Sequence, residues 1–449
     1  MKYFFRLVVL LSILTSSLAE AKLTVGYYMS NYSQYPASAI KYDNLTHICH
    51  AFIWPNADGS IHTDSWFLYP ALITTAHNNG VKVLVSVGGW GVDQTAGFSG
   101  MVNSTSARTL FITNLVSFCL KNGYDGADLD WEYPTQTDSA NFVAFVSALR
   151  QAFNNAGISL ITATLPATDW NNGFNITQLN DYLDWYGVMT YDFAGSWESD
   201  AMHNSPLYST AGQLGSVDAS VRYYLLRGIP KNKLLIGIAF YGYNQKTAGL
   251  YSALQDKEAV TIIYNDATTC RNSAGWNYIF DQNAKVPYLQ DTEKTHIITY
   301  DDTMSVRLKC EYVKSQELGG AILWELHQSY NGKENILLET AGKNLTKMNT
   351  SVKRYMIPQK FEVNCYPNPF NVTAKIKYSI PGTEGVALFN VRVTISDLLG
   401  RQVRELVNSV KPAGIYEVNF DGSALSGGVY LCFVEAGNSK CAIKIALVK

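Results

Sequence analysis

Four carboxylates, Asp125, Asp128, Asp130 and Glu132, lie within the eight residues DGADLDWE. In a β-strand successive side chains alternate between faces, so the last three would share one face, with roughly 6.5 to 7 Å between neighbours. Anionic groups held together raise the pKa of at least one member, which can keep Glu132 protonated near neutral pH. The segment therefore predicts a catalytic acid beside two supporting carboxylates.

Two plainer explanations of this segment are a calcium loop and an acidic surface strand. Calcium loops carry a glycine turn and spaced oxygen ligands, whereas Leu129 and Trp131 separate the acids here. The cysteines contain no C-x-x-C pair and no metal-ligand spacing. We expect neither a metal ion nor a cofactor. Cys432 and Cys441 are candidates to pair across neighbouring strands in an oxidising compartment.

Composition limits the classes of partner. The 449 residues are 47% hydrophobic, which supports a large core, and the formal net charge is -2. Such a balance gives no electrostatic reason to expect nucleic acid or an anionic membrane as a partner. After the N-terminus no segment approaches the roughly 20 apolar residues of a membrane span. We expect a monomer.

The N-terminus resembles an export signal. Lys2 and Arg6 precede an apolar stretch, residues 7–14, and the small-residue pattern Ala19-Glu20-Ala21 follows. This order predicts a secretory signal peptide over residues 1–21, cleaved after Ala21. The mature protein is therefore expected to be exported and soluble.

Eight short apolar runs alternate with helix-like segments, as in a chain of βα units. The strand candidates are Leu23–Tyr28, His47–Phe52, Val81–Val87, Gly126–Asp130, Ser159–Thr164, Trp185–Met189, Leu234–Phe240 and Gly320–Leu323. Eight such units predict an α/β fold, a closed parallel (β/α)8 barrel over residues 22–348, in which catalytic groups gather at the C-terminal ends of the strands. The acidic segment lies at the end of the fourth candidate, where such groups belong.

Two further regions do not fit the barrel pattern. The connection after the seventh strand is far longer than an ordinary loop, which predicts a small inserted α+β subdomain at about residues 243–298, walling one side of a cleft. Residues 349–360 are predicted to be a linker. From Phe361 strand patterns alternate with turn signals, which predicts an all-β sandwich over residues 361–449.

Several motifs occur together in a recognisable order. They are SVGGW (Ser86–Trp90), DGADLDWEYP, MTYDF (Met189–Phe193), HNSPLY (His203–Tyr208) and GGAILWEL (Gly319–Leu326). In this order they resemble glycoside hydrolase family 18, the chitinases and chitinase-like proteins, over about residues 22–345. The resemblance implies a TIM barrel, in agreement with the strand count.

The resemblance also implies a mechanism in which the substrate takes part. Glu132 would protonate the glycosidic oxygen while the 2-acetamido oxygen of the substrate attacks C1 and forms an oxazolinium ion. Asp130 would accept a hydrogen bond from the acetamido N–H, and Asp128 would share a proton with Asp130. Tyr191 would support the acetamido oxygen.

Other matched positions imply substrate contacts. Trp324 would form the floor of the site, Trp90 would stack on a sugar, and Asp192 would lie in the same pocket as Tyr191. Met189, Tyr133 and Tyr27 are further candidates to contact the substrate. Tyr27 and Ser86 would also hold Asp128 in place, and Asp125 would be a supporting acid. Tyr27 and Met189 also read as core residues and Trp90 as a loop aromatic.

Two remaining details of the barrel sequence bear on its cleft. Among the histidines only His203, within the HNSPLY match, is expected near the cleft. The segment Tyr241-Gly242-Tyr243 departs from the family pattern, because many chitinases carry an arginine after the glycine.

The C-terminal region resembles a second family. CYPNPFN (Cys365–Asn371), DLLGR, KPAGIYEVNFD and LSGGVYLCFVEAG are similar to the sorting domain of proteins exported by the type IX secretion system. This implies periplasmic passage in an outer-membraned bacterium, then release or surface attachment, with the secretion machinery as partner. A carbohydrate-binding sandwich is the alternative, but it should expose a row of aromatics and this region contains no tryptophan.

Together these features predict a secreted chitinase that cleaves β-1,4 bonds between N-acetylglucosamine units of chitin with retention. One alternative is a chitinase-like lectin that binds without cleaving, although such proteins usually lack the terminal acid. Another is an endo-β-N-acetylglucosaminidase acting on N-glycan cores, which shares the same acids.

Overall fold

The computed structural model describes residues 21–346, 360–381, 388–412, 414–437 and 439–449. The described chain forms two compact units, which divide after Met348. The predicted signal peptide and linker lie outside the described residues, apart from Ala21 and Lys360. No helix in these described ranges is both long and apolar enough to cross a membrane.

The described strands of the first unit are β1 Leu23–Met29, β2 His47–Pro55, β3 Ile61–His62, β4 Lys82–Gly88, β5 Gly126–Asp130, β6 Leu160–Leu165, β7 Tyr186–Val188, β8 Leu234–Ala239, β9 Tyr241–Lys246, β10 Ala259–Ile263, β11 Trp276–Asp281, β12 Val286–Asp291, β13 His296–Thr299 and β14 Gly320–Trp324. The α-helices are α1 Pro70–Asn78, α2 Val92–Asn103, α3 Thr105–Asn122, α4 Ser139–Ala156, α5 Ile176–Leu179, α6 Val217–Leu226, α7 Tyr264–Arg271, α8 Thr303–Ser315 and α9 Ile336–Leu345. Short 3-10 helices are Ala37–Ala39, Tyr42–Asn44, Lys231–Lys233, Gln255–Lys257 and Leu326–Ser329.

Eight of the described strands close into a barrel in the order β1, β2, β4, β5, β6, β7, β8 and β14. Closure is direct, because β1 pairs in parallel with both β2 and β14. The predicted (β/α)8 barrel is confirmed. Each predicted strand lies within a few residues of an observed one, and the largest difference is β2, which continues to Pro55.

The alternation along β5 separates chemistry from packing. Leu129 belongs to the large apolar core between barrel and helices. Just past the strand, Trp131 joins the same core and stacks on Phe98 with ring centroids 5.1 Å apart. Asp128 and Asp130 point to the other face, into the barrel, because neighbouring strand residues alternate faces. The bulky residues between the acids therefore anchor the strand that carries them.

The neighbouring strand β4 makes room for this segment. The β4–β5 register places Ser86 beside Asp128 and Gly88 beside Asp130. Gly88 has a φ of +123°, and a Cβ there would lie 2.1 Å from the backbone oxygen of Asp130. Only glycine accommodates both that backbone conformation and that close approach.

The connection after β8 is an α+β subdomain, as predicted. Strands β9 to β13 form a five-stranded antiparallel sheet in the order β10-β9-β13-β12-β11 within the described chain, and α7 lies between β10 and β11. The sheet begins at Tyr241, directly after the barrel strand β8. The first residues of β9 therefore stand next to the C-terminal end of the barrel.

The described strands of the second unit are β15 Glu362–Tyr366, β16 Thr373–Ile380, β17 Leu388–Ser396, β18 Gln402–Pro412, β19 Gly414–Asp421, β20 Gly428–Ala436 and β21 Ser439–Leu447. They form two antiparallel sheets, β15-β16-β19 and β18-β17-β20-β21. Side chains from both sheets, such as Ile376 and Val434, share one apolar core. The predicted all-β sandwich is confirmed.

The cysteines of the second unit are not paired. Cys432 lies opposite Ile443, and Cys441 lies opposite Val434, so the two thiols are offset along the β20–β21 ladder. Each of the seven cysteines of the chain, all within the described ranges, is a free thiol.

Candidate active site

Asp128 lies at the bottom of the site, in the barrel interior. Its Oδ2 accepts hydrogen bonds from Tyr27 Oη and Ser86 Oγ, each at 2.8 Å, and its Oδ1 accepts one from Thr162 Oγ1 at 2.6 Å. Burial raises the pKa of this carboxyl, while the hydroxyl donors oppose the rise by stabilising the charged form. Strands β1, β4 and β6 thus each supply a hydroxyl that fixes Asp128.

Asp130, two residues further along β5, has a different environment. It is 3% exposed, and its Oδ1 is buried with no hydrogen-bond partner among the described residues. Burial raises the pKa of Asp130 well above its usual value, and the charges of Glu132 and Asp128 raise it further. A buried acceptor without a donor is costly, so this site is arranged to receive a donor from a ligand.

Glu132 follows the end of β5 and lines the cleft. Burial raises the pKa of this carboxyl to about 7, a hydrogen bond with Tyr133 lowers it, and the charge of Asp192 raises it. At neutral pH a large fraction of Glu132 is therefore protonated. This is the state that a general acid needs.

A cleft of about 1210 Å³ opens above these acids. Trp90 on its wall is 77% exposed, and Trp170 and Trp197 are also exposed. Trp324, at the end of β14, lies 5.4 Å from the Tyr27 ring and 5.8 Å from the Phe52 ring. The aromatic residues that line the cleft are Tyr27, Phe52, Trp54, Trp66, Trp90, Tyr133, Trp170, Tyr191, Trp197, Tyr241, Tyr243 and Trp324. Flat apolar faces of this kind suit sugar rings.

Most of the predicted site residues are brought together here. Those that line the cleft are Tyr27, Trp90, Asp130, Glu132, Tyr133, Met189, Tyr191, Asp192 and Trp324. Asp128 and Ser86 lie buried beneath them. Within the described ranges no three His, Cys, Asp or Glu side chains converge in the way that a metal site requires.

Two predicted positions are wrong. Asp125 precedes β5 and so lies at the opposite end of the strand, where its Oδ2 accepts a hydrogen bond from the Val83 N–H at 2.7 Å and lies 2.8 Å from His77 Nε2. It is a structural residue of the barrel's N-terminal end. His203 is fully buried with its Nε2 3.2 Å from Asp281 Oδ2, and it does not line the cleft.

Several cleft residues were not predicted from the sequence. Tyr241 and Tyr243 both donate a hydrogen bond to Asp192 Oδ1, at 2.6 and 2.8 Å. The tryptophans that were missed are Trp54, Trp66, Trp170 and Trp197. Trp170 and Trp197 lie in the loops that follow β6 and β7, so a tryptophan shortly after a barrel strand was the available signal.

Two family models match this chain. The sequence model described as Glycosyl hydrolases family 18 matches residues 24–329, and that described as Secretion system C-terminal sorting domain matches residues 364–448.

Individual relatives match over the same region. The probable endochitinase of Caenorhabditis elegans is 32% identical over 363 residues, which are 70% of this chain and 58% of the nematode protein. Chitotriosidase-1 of Mus musculus is 31% identical over 345 residues, 67% of this chain and 72% of that protein. The crystal structure of Ostrinia furnacalis Group IV chitinase has a TM-score of 0.66 and 27% identity, and the match covers 73% of this chain and 100% of that one.

Proposed function

The chain belongs to the glycosyl hydrolases family 18, and from this membership we propose that it is a secreted chitinase. It cleaves β-1,4 bonds between N-acetylglucosamine units with retention at the anomeric carbon. The observation that carries the proposal is the pair at the end of β5. Glu132, with a pKa raised to about 7, can give a proton, and the neighbouring Asp130 has a buried oxygen that lacks a donor within the described chain.

The proposed reaction has two steps. Glu132 gives its proton to the glycosidic oxygen, the bond to C1 breaks, and the 2-acetamido oxygen of the same sugar forms a new bond to C1. Asp130 accepts a hydrogen bond from the acetamido N–H and offsets the positive charge of the oxazolinium ion. Glu132, now ionised, then takes a proton from the water that attacks C1. This attack opens the oxazolinium ring and leaves the product with retained configuration at C1.

The neighbours of these acids have supporting roles in the proposal. Asp128, held by three hydroxyl donors, exchanges a proton with Asp130 as the two titrate together. Tyr191 is buried against the acids and supports the acetamido oxygen. Trp324 and Trp90 stack on the sugars at the floor and the mouth of the cleft.

The C-terminal unit supports an export route. It matches the secretion-system sorting domain, and its residues form a separate sandwich with its own core. We propose that the type IX secretion machinery recognises this unit and delivers the protein to the cell surface or the medium.

The decisive test is Glu132→Gln assayed on a labelled chitooligosaccharide. Because the amide cannot give the proton, we expect kcat to fall about a thousandfold or more without any decrease in the unfolding midpoint. Asp125→Asn is the matched control, since that carboxylate lies at the other end of β5 and should leave turnover near the original rate. Near-normal turnover by Glu132→Gln, or products of inverted configuration in early NMR spectra, would rule out the proposal.

The same preparation separates the alternatives. A lectin would bind the oligosaccharide without turnover, and an endo-acting glycosidase of N-glycans would release sugar from a glycoprotein in preference to chitin. The open cleft and the presence of Glu132 favour turnover over binding alone. Mass spectrometry of the products from both substrates decides between the two hydrolases.

A further inference from the structure

A short hairpin extends one wall of the cleft. Strand β2 continues past its last pairing with β4 and turns back as β3, so that Trp54 is paired with His62. The two rings stack with their centroids 4.1 Å apart and an angle of 16° between their planes. Trp54 lines the cleft and His62 does not, so the imidazole supports the indole from behind.

The hairpin is held firmly by the helices behind it. Gly97 of α2 lies so close to β2 that a Cβ there would be 1.9 Å from the backbone oxygen of Pro55. On α3, the side-chain amide of Asn114 donates a hydrogen bond at 3.0 Å to the backbone oxygen of Gly59, which lies in the turn of the hairpin. The indole of Trp54 is therefore fixed before any ligand binds, which reduces the entropy lost on binding.

The position of Trp54 determines which part of a ligand it can reach. The ring of Phe52 lies 5.8 Å from the ring of Trp324, the floor of the candidate site. Phe52 and Trp54 are alternate residues of β2 and both line the cleft, so they project from one face of the strand, about 7 Å apart. Trp54 thus stands one aromatic residue further from Trp324 than Phe52 does. We expect it to contact a different sugar from the one that lies over Trp324.

Asp64 places a negative charge at this part of the cleft. Its side chain is 39% exposed, and its basic neighbour, His62 Nε2, is 3.8 Å from Oδ1, which is longer than a hydrogen bond. The segment is anchored, because the Phe67 N–H donates to the Asp64 backbone oxygen at 3.1 Å and Ser30 Oγ donates to the Phe67 backbone oxygen at 2.8 Å. Among the described residues that line the cleft there is no lysine, arginine or histidine. The surroundings therefore favour a cationic group of a ligand over an anionic one.

We propose that Trp54 and Asp64 form a distal subsite for a sugar that carries a free amino group, so that the substrate class includes partly de-N-acetylated chains of N-acetylglucosamine. The indole, supported by His62, stacks on the apolar face of the sugar ring. Asp64 accepts a hydrogen bond from the ammonium group of the same sugar.

This subsite rests on the proposed chitinase function and deepens it. The proposed reaction needs an acetamido group on the sugar beside Asp130 and Glu132, because a sugar without its acetyl group lacks the oxygen that attacks C1. The reaction makes no such demand on a sugar bound at Trp54. A chain with mixed acetylation therefore fits the cleft when an acetylated sugar lies at the acids and an amino sugar lies at Asp64.

The experiment measures binding by isothermal titration calorimetry in the full chain carrying Glu132→Gln, which keeps the ligand intact. The ligands are a fully acetylated chitin pentasaccharide and its isomers with one sugar de-N-acetylated, at mildly acidic pH so that the amine is protonated. For Trp54→Ala we expect Kd to rise about tenfold for the fully acetylated ligand and for the tightest-binding amino isomer, because a stacked aromatic contact is lost. For Asp64→Asn we expect Kd to rise about threefold for that amino isomer and not to change for the fully acetylated ligand, because a partly exposed ion pair is lost.

Asp58→Asn is the matched control. Asp58 is an exposed acid in the turn of the same hairpin and does not line the cleft, so both Kd values should stay within about twofold of the parent values. If Trp54→Ala does not fold, Trp54→Leu replaces it, since leucine keeps an apolar side chain without the flat ring and should weaken binding to a similar extent.

The outcomes separate this proposal from the proposed function. A Kd within about twofold of the parent value in the Trp54 variant, or the same effect of Asp64→Asn on both ligands, would overturn the distal subsite. A wild-type chain that hydrolyses no chitin, while the expected changes in Kd are seen, refutes only the proposed function. Normal hydrolysis of chitin without those changes refutes only the subsite.

Discussion

Asp130 is a buried acid whose surroundings in the barrel are unfavourable to folding. Its Oδ1 is buried and has no donor in the described chain, and nearby acids raise its pKa further. Asp128, only two residues away, accepts three short hydrogen bonds from hydroxyl groups. The barrel therefore satisfies one acid and leaves the other in an unfavourable state, as expected where a substrate is to supply the missing donor.

Asp130→Asn should consequently be more stable and less active than the wild type. A carboxyl with a raised pKa in the folded state binds a proton that the unfolded chain releases, so it destabilises the fold increasingly as pH rises above the ordinary pKa of aspartate. We expect the variant to gain about 1 to 2 kcal/mol in free energy of unfolding at pH 8, less at pH 5, and to lose most of its kcat. Urea unfolding at the two pH values measures this.

Asp128→Asn is the comparison for that prediction. The hydroxyl donors to its carboxylate offset part of the effect of burial on its pKa, and an amide keeps them only in part, so we expect a smaller gain in stability than for Asp130→Asn, or none. Equal stability of wild type and Asp130→Asn at pH 8 would contradict the interpretation of Asp130 as an unsatisfied acid.

Residue types and alternation were enough to group the three acids, because two lie on β5 and the third closely follows its end. Asp125 was placed wrongly because closeness in sequence does not mean closeness along a strand. Each strand residue adds about 3.3 Å, and Asp125 precedes β5, so its carboxylate lies at the other end of the strand. The Tyr243 contact with Asp192 could not be predicted, since it joins residues 51 positions apart through the path of β9 out of the barrel.

At the scale of elements, α8 contains the clearest departure from its sequence pattern. Lys309 reads as a solvated helix position, yet it is fully buried and its Nζ lies 2.6 Å from both Asp301 Oδ2 and Ser205 Oγ. The pair joins α8 to the segment after β13 and to the loop after β7. The predicted alternation of strands and helices gave no sign of this buried charge pair.

Lys309→Met should therefore be strongly destabilising, because it leaves the Asp301 carboxylate buried without its partner. We expect a loss of about 3 to 5 kcal/mol in free energy of unfolding. Arg307→Met, on the same helix, removes an exposed pair with Glu311 and should cost about 0.5 kcal/mol or less. Urea unfolding of the two variants checks the contrast, and equal losses would refute it.

The barrel strands were predictable because each is a short apolar run set between amphipathic helices. Their ends were less so: β2 runs on to Pro55, and the two-residue strand β3 then pairs with it in a short hairpin. The inserted subdomain was predicted from the length of the connection and the short apolar and aromatic segments within it. Its strand order is fixed by long-range pairing, such as that of β9 with β13, which local patterns do not encode.

At the scale of the whole molecule, the two units have separate apolar cores, one in the barrel and one in the sandwich. All residues of the candidate site belong to the first unit. The change in sequence pattern near residue 361 was enough to predict this division, because strand alternation replaces the βα repeat there.

A chain that ends after residue 346 should fold and remain active. Because its core and its acids are complete, we expect kcat/KM on a chitooligosaccharide within about twofold of that of the full chain, and a single cooperative unfolding transition. Circular dichroism melting and the turnover assay check both points. A soluble but inactive product, or one that melts without cooperativity, would contradict the independence of the first unit.

The positions of the tryptophans make their fluorescence a reporter of the cleft. Six of the nine tryptophans, Trp54, Trp66, Trp90, Trp170, Trp197 and Trp324, line the cleft, and the sequence contains none beyond Trp324. At excitation wavelengths that tyrosine does not absorb, emission therefore arises from tryptophans of the first unit, most of which line the cleft, and the sandwich does not contribute. Occupancy of the groove by an unlabelled saccharide can be followed as a change in emission intensity and wavelength, even in a variant that performs no chemistry.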